Sequence, residues 1–175
     1  MKPPKPLPFP LMGVTEDSFI RLPHNHRLAI VLAWLCDVEK VHEIRTNSAP
    51  WIDYALATCG LDPGYPWCAA IVNAGIELAG LRSGPDKGKA SVARWVTWAK
   101  KNGRLLDAPE RGAIGAIVNK NGTGHMWVWT TDTPNASGLY STIEGNTNLG
   151  GAREGTHMLR RARASTDRVY NIKWW

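Results

Sequence analysis

From Arg27 to about His42, apolar side chains recur at Leu28, Val31, Leu32, Leu35 and Val38, the three-and-four spacing of one helix face. A shorter helix is predicted over Pro50 to Cys59, with Ser48 suited to cap it, Pro50 to its first turn and Gly60 to its end. Leu61 to Pro66 is a turn, because Pro63-Gly64 and Pro66 forbid regular structure there. A third helix follows from about Trp67 to Ala79, closed by Gly80, and a fourth is carried by Val92, Trp95, Val96 and Ala99 and stopped by Gly103. After Pro109 the period drops to two. Ile114 to Val118, His125 to Thr130, Tyr140 to Glu144, His157 to Arg163 and Val169 to Trp174 are predicted strands, with Asn121-Gly122 a hairpin signal between the first two. Helices first and strands afterwards predict an α+β fold, its N-terminal helices packed on one face of a C-terminal antiparallel sheet of about five to six strands. Residues 1–24 are Pro-rich and aperiodic, an extension expected to lie on the domain or to be partly mobile, and residues 25–175 form one domain.

Composition narrows the class. The 175 residues suit a single core, and 43% hydrophobic with 21% charged residues is an ordinary globular balance. No apolar run approaches the roughly 20 residues that span a bilayer, so no membrane insertion is expected. The start, MKPPKPLPFP, has no uninterrupted apolar stretch, which argues against a secretory signal peptide. The formal charge is +6, with Arg153, Arg160, Arg161, Arg163 and Arg168 crowded near the end. Such a balance favours anionic partners, although alternating arginines on a strand equally form a solvated face. Nine tryptophans are many for this length; most should fill the core, and any exposed subset would suit stacking on sugars or peptides.

Three cysteines, Cys36, Cys59 and Cys68, leave at least one thiol free. Cys36 and Cys59 fall within helical apolar patterns, where Cys acts as a small buried hydrophobe. Cys68 differs: it follows a Pro-containing turn and opens a helix, whose unpaired N–H groups and partial positive charge favour a thiolate. Ala69 and Ala70 leave room around the sulfur. The second chemical element is Gly122-Thr123-Gly124-His125, where a histidine opens a strand directly after a flexible segment. Alternation puts His125, Trp127 and Trp129 on one face. Histidine is the usual partner that deprotonates a cysteine and then protonates the leaving amine. The third element is Glu144-Gly145-Asn146; its two polar residues share a strand face, where one can accept the imidazole N–H and fix the ring. The aromatic residues flanking these elements, Tyr65, Trp67 and Trp127, are candidates for contact with substrate.

The run Trp51-Ile52-Asp53-Tyr54, Gly60-Leu61 and Gly64-Tyr65-Pro66-Trp67-Cys68-Ala69-Ala70 resembles the opening of a CHAP domain, the cysteine, histidine-dependent amidohydrolase/peptidase family of the NlpC/P60 superfamily found in phage endolysins. Ser91-Val92-Ala93, Gly124-His125 and Ile143-Glu144-Gly145-Asn146-Thr147-Asn148 are similar to its remaining blocks, in the same order, over roughly residues 43 to 174. The resemblance implies a papain-like fold and cleavage of peptidoglycan, at the muramoyl–alanine amide or within stem and cross-bridge peptides. It implies Cys68 as nucleophile, His125 as general base, Glu144 as orienter and Asn146 as an auxiliary polar group. Two departures stand out. Pro109-Glu110-Arg111-Gly112-Ala113 replaces the family's Pro-x-Pro-Gly-Asp, and Trp127 and Trp129 stand where small or aliphatic residues are usual.

No cofactor and no metal are expected: there is no run of closely spaced Asp for calcium, and neither Cys68 nor His125 has zinc-ligand spacing. The expected partner is bacterial peptidoglycan, met by a monomer that another agent (a holin, a virion or a secretion system) brings to the wall. Three other readings stay open. One is a wall-binding or structural module with an inactive site, another an interbacterial amidase toxin. The third, a nucleic-acid binder, rests on charge alone, and no nucleic-acid partner is expected, because no reading helix or RNP-type strand is present.

Overall fold

A computed structural model describes residues 2–148 and 155–175. Five helices precede six strands: α1 (Glu16–Arg21), α2 (His24–Asp37), α3 (Pro50–Thr58), α4 (Cys68–Leu78) and α5 (Val92–Lys101), then β1 (Leu105–Leu106), β2 (Ile114–Val118), β3 (Gly124–Trp129), β4 (Tyr140–Thr147), β5 (His157–Arg163) and β6 (Tyr170–Ile172). The strands form one antiparallel sheet in the order β1-β6-β2-β3-β4-β5. The chain is therefore α+β, with β5 at one edge and β3 and β4 side by side within the sheet.

Alternation along the strands divides the apolar residues between two clusters. Met126 and Val128 of β3 and Ile143 of β4 join the main core with Leu28, Leu32 and Leu35 of α2 and Ile71, Val72 and Ile76 of α4. The intervening Trp127 and Trp129 form a smaller cluster with Ala113. Helix α4 packs against β3 and β4, α2 against β4 and β5, and α5 against β2, β3 and β6. That arrangement brings the start of α4 to the start of β3.

Several boundaries differ from the sequence expectation. Helix α2 begins at His24, directly after Pro23, and ends at Asp37; Lys40 takes a left-handed turn (φ 48°) that no helix continues through. Ala49, not Ser48, is the N-cap of α3, and the Ser48 hydroxyl instead donates to Asp53 Oδ2 at 3.2 Å. The N-terminal extension is seated on the domain: Leu11 and Phe19 are buried, and residues 16–21 make the short α1, capped by Thr15. Strand β4 runs on to Thr147 through an irregularity in its pairing with β5, whereas β6 is shorter than expected. Strand β1 has only two residues, too few for any periodicity. Arg153, one of the crowded arginines, lies outside the described residues. No helix among the described residues is long and apolar enough to cross a membrane.

One close approach fixes how α4 sits on the sheet. A Cβ built on Gly145 of β4 would lie 2.6 Å from both Ile71 Cγ2 and Trp67 Cζ3. Any side chain there forces α4 off β4, and the site residues on both elements with it. Gly145→Ala is expected to lower stability by about 1–3 kcal/mol, the usual cost of overpacking. The measurement is urea unfolding, with a lower midpoint at unchanged slope; a midpoint equal to wild type rules out the close-approach account.

Candidate active site

Cys68 is the first residue of α4 and is 6% exposed. It owes this position to Pro66, which ends the preceding turn, and to Trp67, which occupies the N-cap without a side-chain capping bond. The helix's first N–H groups are thus not taken by a cap side chain. The Trp67 indole is buried and donates to Glu43 Oε1 at 3.0 Å, anchoring the turn.

His125 is the second residue of β3, paired with Ile117 of β2. Gly124 before it tolerates no Cβ, which would lie 2.5 Å from the Ile117 carbonyl oxygen and 3.0 Å from Val92. The backbone there presses against β2 and the start of α5. The His125 Nε2 lies 3.0 Å from Glu144 Oε2. An ionised carboxylate only accepts, so Nε2 carries the hydrogen and Nδ1 is the nitrogen left for other work. Burial alone would depress the imidazole's pKa, but interaction with the Cys68 side chain and the Glu144 carboxylate overrides it and raises it to about 9. Cys68, His125 and Glu144 therefore form one interacting group.

Glu144, 1% exposed, is the innermost member. Its Oε1 accepts from Arg163 Nε at 2.6 Å and from the Thr142 hydroxyl at 2.8 Å. Its Oε2 accepts from Arg163 Nη2 at 2.7 Å as well as facing His125. Burial would push the carboxyl pKa up, yet hydrogen bonds and charge from His125 and Arg163 pull it down to about 2. These contacts hold the carboxyl in its ionised form.

Asn146 lies two residues on, where the β4–β5 register slips between Glu144 and Thr147. Its φ of 54° is left-handed, a conformation that Asn adopts more readily than most residues. The side chain is 2% exposed, and its Oδ1 is buried without a hydrogen-bond partner. Asn146 and Cys68 line a common cleft of about 170 Å³, with Ser91 and Val92 from the start of α5 and Thr123 and Gly124 from the β2–β3 turn. The turn is braced by Asn121 Oδ1, which accepts from the Thr123 hydroxyl at 2.6 Å. A larger, apolar cavity of about 350 Å³ lies between the N-terminal segment, α2 and the sheet, and contains none of these residues.

The four catalytic candidates thus converge. The aromatic candidates do not. Tyr65 is 53% exposed on the turn before Cys68, but Trp67 and Trp127 have no accessible surface and offer no face to a substrate. Trp127 instead supports the site from within, its ring 6.0 Å from the His125 ring and 4.6 Å from the Arg163 guanidinium carbon. Of the nine tryptophans seven are buried and Trp98 and Trp175 are half-buried, so none is an exposed stacking platform. The residues missed by sequence reading are Thr142 and Arg163. Their signal was present in the alternation of β4 and β5, but not the neighbour each would meet. Cys36 and Cys59 are free thiols pushed up to about 11, chiefly by burial. Among the described residues no group of three or more His, Cys, Asp or Glu side chains could hold a metal ion. No protein-family model, curated protein or solved structure matches the chain.

Two shifted groups of the site contribute to the pH dependence of stability. Glu144, lowered from 4.5 to about 2, contributes stability that is present above pH 4.5 and lost as pH falls through 2. His125, raised from 6.5 to about 9, contributes stability that is complete below pH 6.5 and lost as pH rises through 9. The wild-type thermal midpoint is expected to fall between pH 6.5 and 9, and His125→Gln to flatten that stretch. The buried thiols Cys36 and Cys59 act only above it, from 9 to about 11. A wild-type midpoint level across that window counts against the charged cluster.

Proposed function

We propose that this protein is a cysteine peptidoglycan hydrolase of the CHAP type, with a papain-like fold, that cuts an amide bond of the bacterial wall through a thioester. The observation that carries the reading is the buried Glu144 carboxylate 3.0 Å from His125 Nε2, with Cys68 on the other side of the imidazole at the mouth of a cleft. A carboxylate spent on fixing a histidine beside a helix-start cysteine is the arrangement of nucleophile, base and orienter that acyl transfer requires.

In the proposed reaction the proton passes from Cys68 to His125 Nδ1 before substrate binds, leaving the imidazolium that the raised His125 pKa reflects, and the sulfur then attacks the scissile carbonyl carbon. The Glu144 carboxylate stabilises the imidazolium that forms. Backbone N–H groups at the start of α4 receive the oxyanion, a contribution worth about 100- to 1000-fold per donor in comparable sites. His125 then protonates the departing amine, and water enters to hydrolyse the thioester, its proton returning through His125. Asn146 supports the reading as well, because it lines the same cleft as Cys68. All of these roles are filled by side chains and backbone. The protein acts on the wall as a lytic enzyme delivered there by another agent, a phage endolysin being the setting proposed.

The test is mass spectrometry of purified peptidoglycan digested with wild type and with Cys68→Ala. Wild type is expected to release soluble fragments, and Cys68→Ala to release them at a rate lower by a factor on the order of 10,000. The new termini name the bond: intact stem peptides with free lactyl sugars mean an amidase, and split stems or bridges an endopeptidase. Equal release by both proteins ends the proposal.

A further inference from the structure

The crowded arginines near the C-terminus divide by contact. Arg160 forms a two-pronged pair with Asp37 of α2, at an exposed position. Arg163 turns inward: its guanidinium reaches along the sheet from β5, grips both oxygens of Glu144 and lies over the buried Trp127 ring. Its side chain is 27% exposed while its partner is wholly buried. A fork on both oxygens fixes the plane of the carboxylate as well as its position, which a point charge does not do.

We infer that Arg163 is a positioning residue of the active site, holding Glu144 ionised and in the one orientation that presents Oε2 to His125. This rests on the Cys68–His125–Glu144 reading above. Charge in so buried a place must balance. The charged and titratable groups facing Glu144 are His125 from β3 and Arg163 from β5, with the uncharged Thr142 on its own strand; Cys68 from α4 faces His125 in turn. With a neutral thiol and imidazole, Glu144 and Arg163 cancel. With a thiolate and an imidazolium, the four charges again sum to zero. Remove Arg163 and the cluster has net charge −1 in both proton states, buried and uncompensated, a condition that raises a carboxylate's pKa. Glu144 would then accept a proton at a pH where His125 still needs it charged. Arg163 thus lets the proton pass between Cys68 and His125 without changing the charge of the interior.

The experiment uses the full chain and needs no wall substrate. The rate at which iodoacetamide alkylates Cys68, resolved from Cys36 and Cys59 by peptide mass, is followed against pH for wild type, Arg163→Gln and Arg163→Lys. The His125 ring is titrated by NMR in the same proteins. In Arg163→Gln the acid limb of Cys68 alkylation is expected to move up with the Glu144 carboxyl, which loses an arginine of the kind that lowers a neighbouring carboxylate by about 1–3 pH units. The His125 titration should move up too, since a repelling positive charge is gone. Arg163→Lys, with the charge but not the fork, should restore the acid limb most of the way and leave the alkylation rate at pH 7 at least about threefold below wild type. Loss of packing alone would lower rates without moving either titration. A folded Arg163→Gln with the wild-type acid limb overturns the inference. If that variant does not fold, Arg163→Lys carries the test, and a rate equal to wild type overturns it. A wild-type Cys68 that reacts as an ordinary thiol, with its limb near pH 8.5, instead overturns the reading of the site on which the inference stands.

Discussion

The site is organised around a carboxylate taken out of water. An ion buried as Glu144 is must be answered by hydrogen bonds and opposite charge, or it takes up a proton. Each answering group comes from a different part of the sheet: His125 from β3, Thr142 from the same strand and Arg163 from β5. The register of three adjacent strands is therefore tied to one side chain. A slip of one residue in any of them would turn its contribution to the opposite face and leave the carboxylate uncompensated. The electrostatics that hold His125 upright are also a reason for the sheet to pair in a single way.

Packing supplies the other coordinate, the distance from the sheet to Cys68. Helix α4 is apolar on nearly every side and is held between α2, α3 and the sheet. Gly145 lets it settle onto β4, and the buried Trp67 indole fastens its N-cap to Glu43. Cys68 is thus placed by a rigid helix and His125 by a rigid strand. Placement on regular elements keeps such a group more constant in geometry than placement on loops would.

Much of this was legible beforehand, and the rest failed for identifiable reasons. Helical spacing placed α2 to α5, and the change of period after Pro109 marked the sheet, because each of those segments is long enough to repeat its own pattern. Strand β1 spans two residues and α1 six, too short for that. The site residues Cys68, His125, Glu144 and Asn146 were visible because each sits beside a glycine, a proline or a helix start that limits what it can do locally. Arg163 was hidden for the opposite reason. It stands four residues along β5 from the partner of Glu144 in the register, and only the length of its side chain closes that gap. Trp67 and Trp127 show a related limit: alternation gives the face of a strand but not whether other side chains cover it. Both indoles proved to be buried supports.

Strand β5 has a further consequence, away from the chemistry. It is an edge of the sheet and, among the described residues, is bridged on its outer side at its start, where His157 meets His42. An open edge displays a row of backbone N–H and C=O groups to which any other extended chain can add. Here the edge strand is tied back to the domain by its own side chains, Arg160 to Asp37 of α2 and Arg163 to Glu144 of β4. The same contact that fixes the interior carboxylate thus keeps the edge strand from peeling away to pair with another chain.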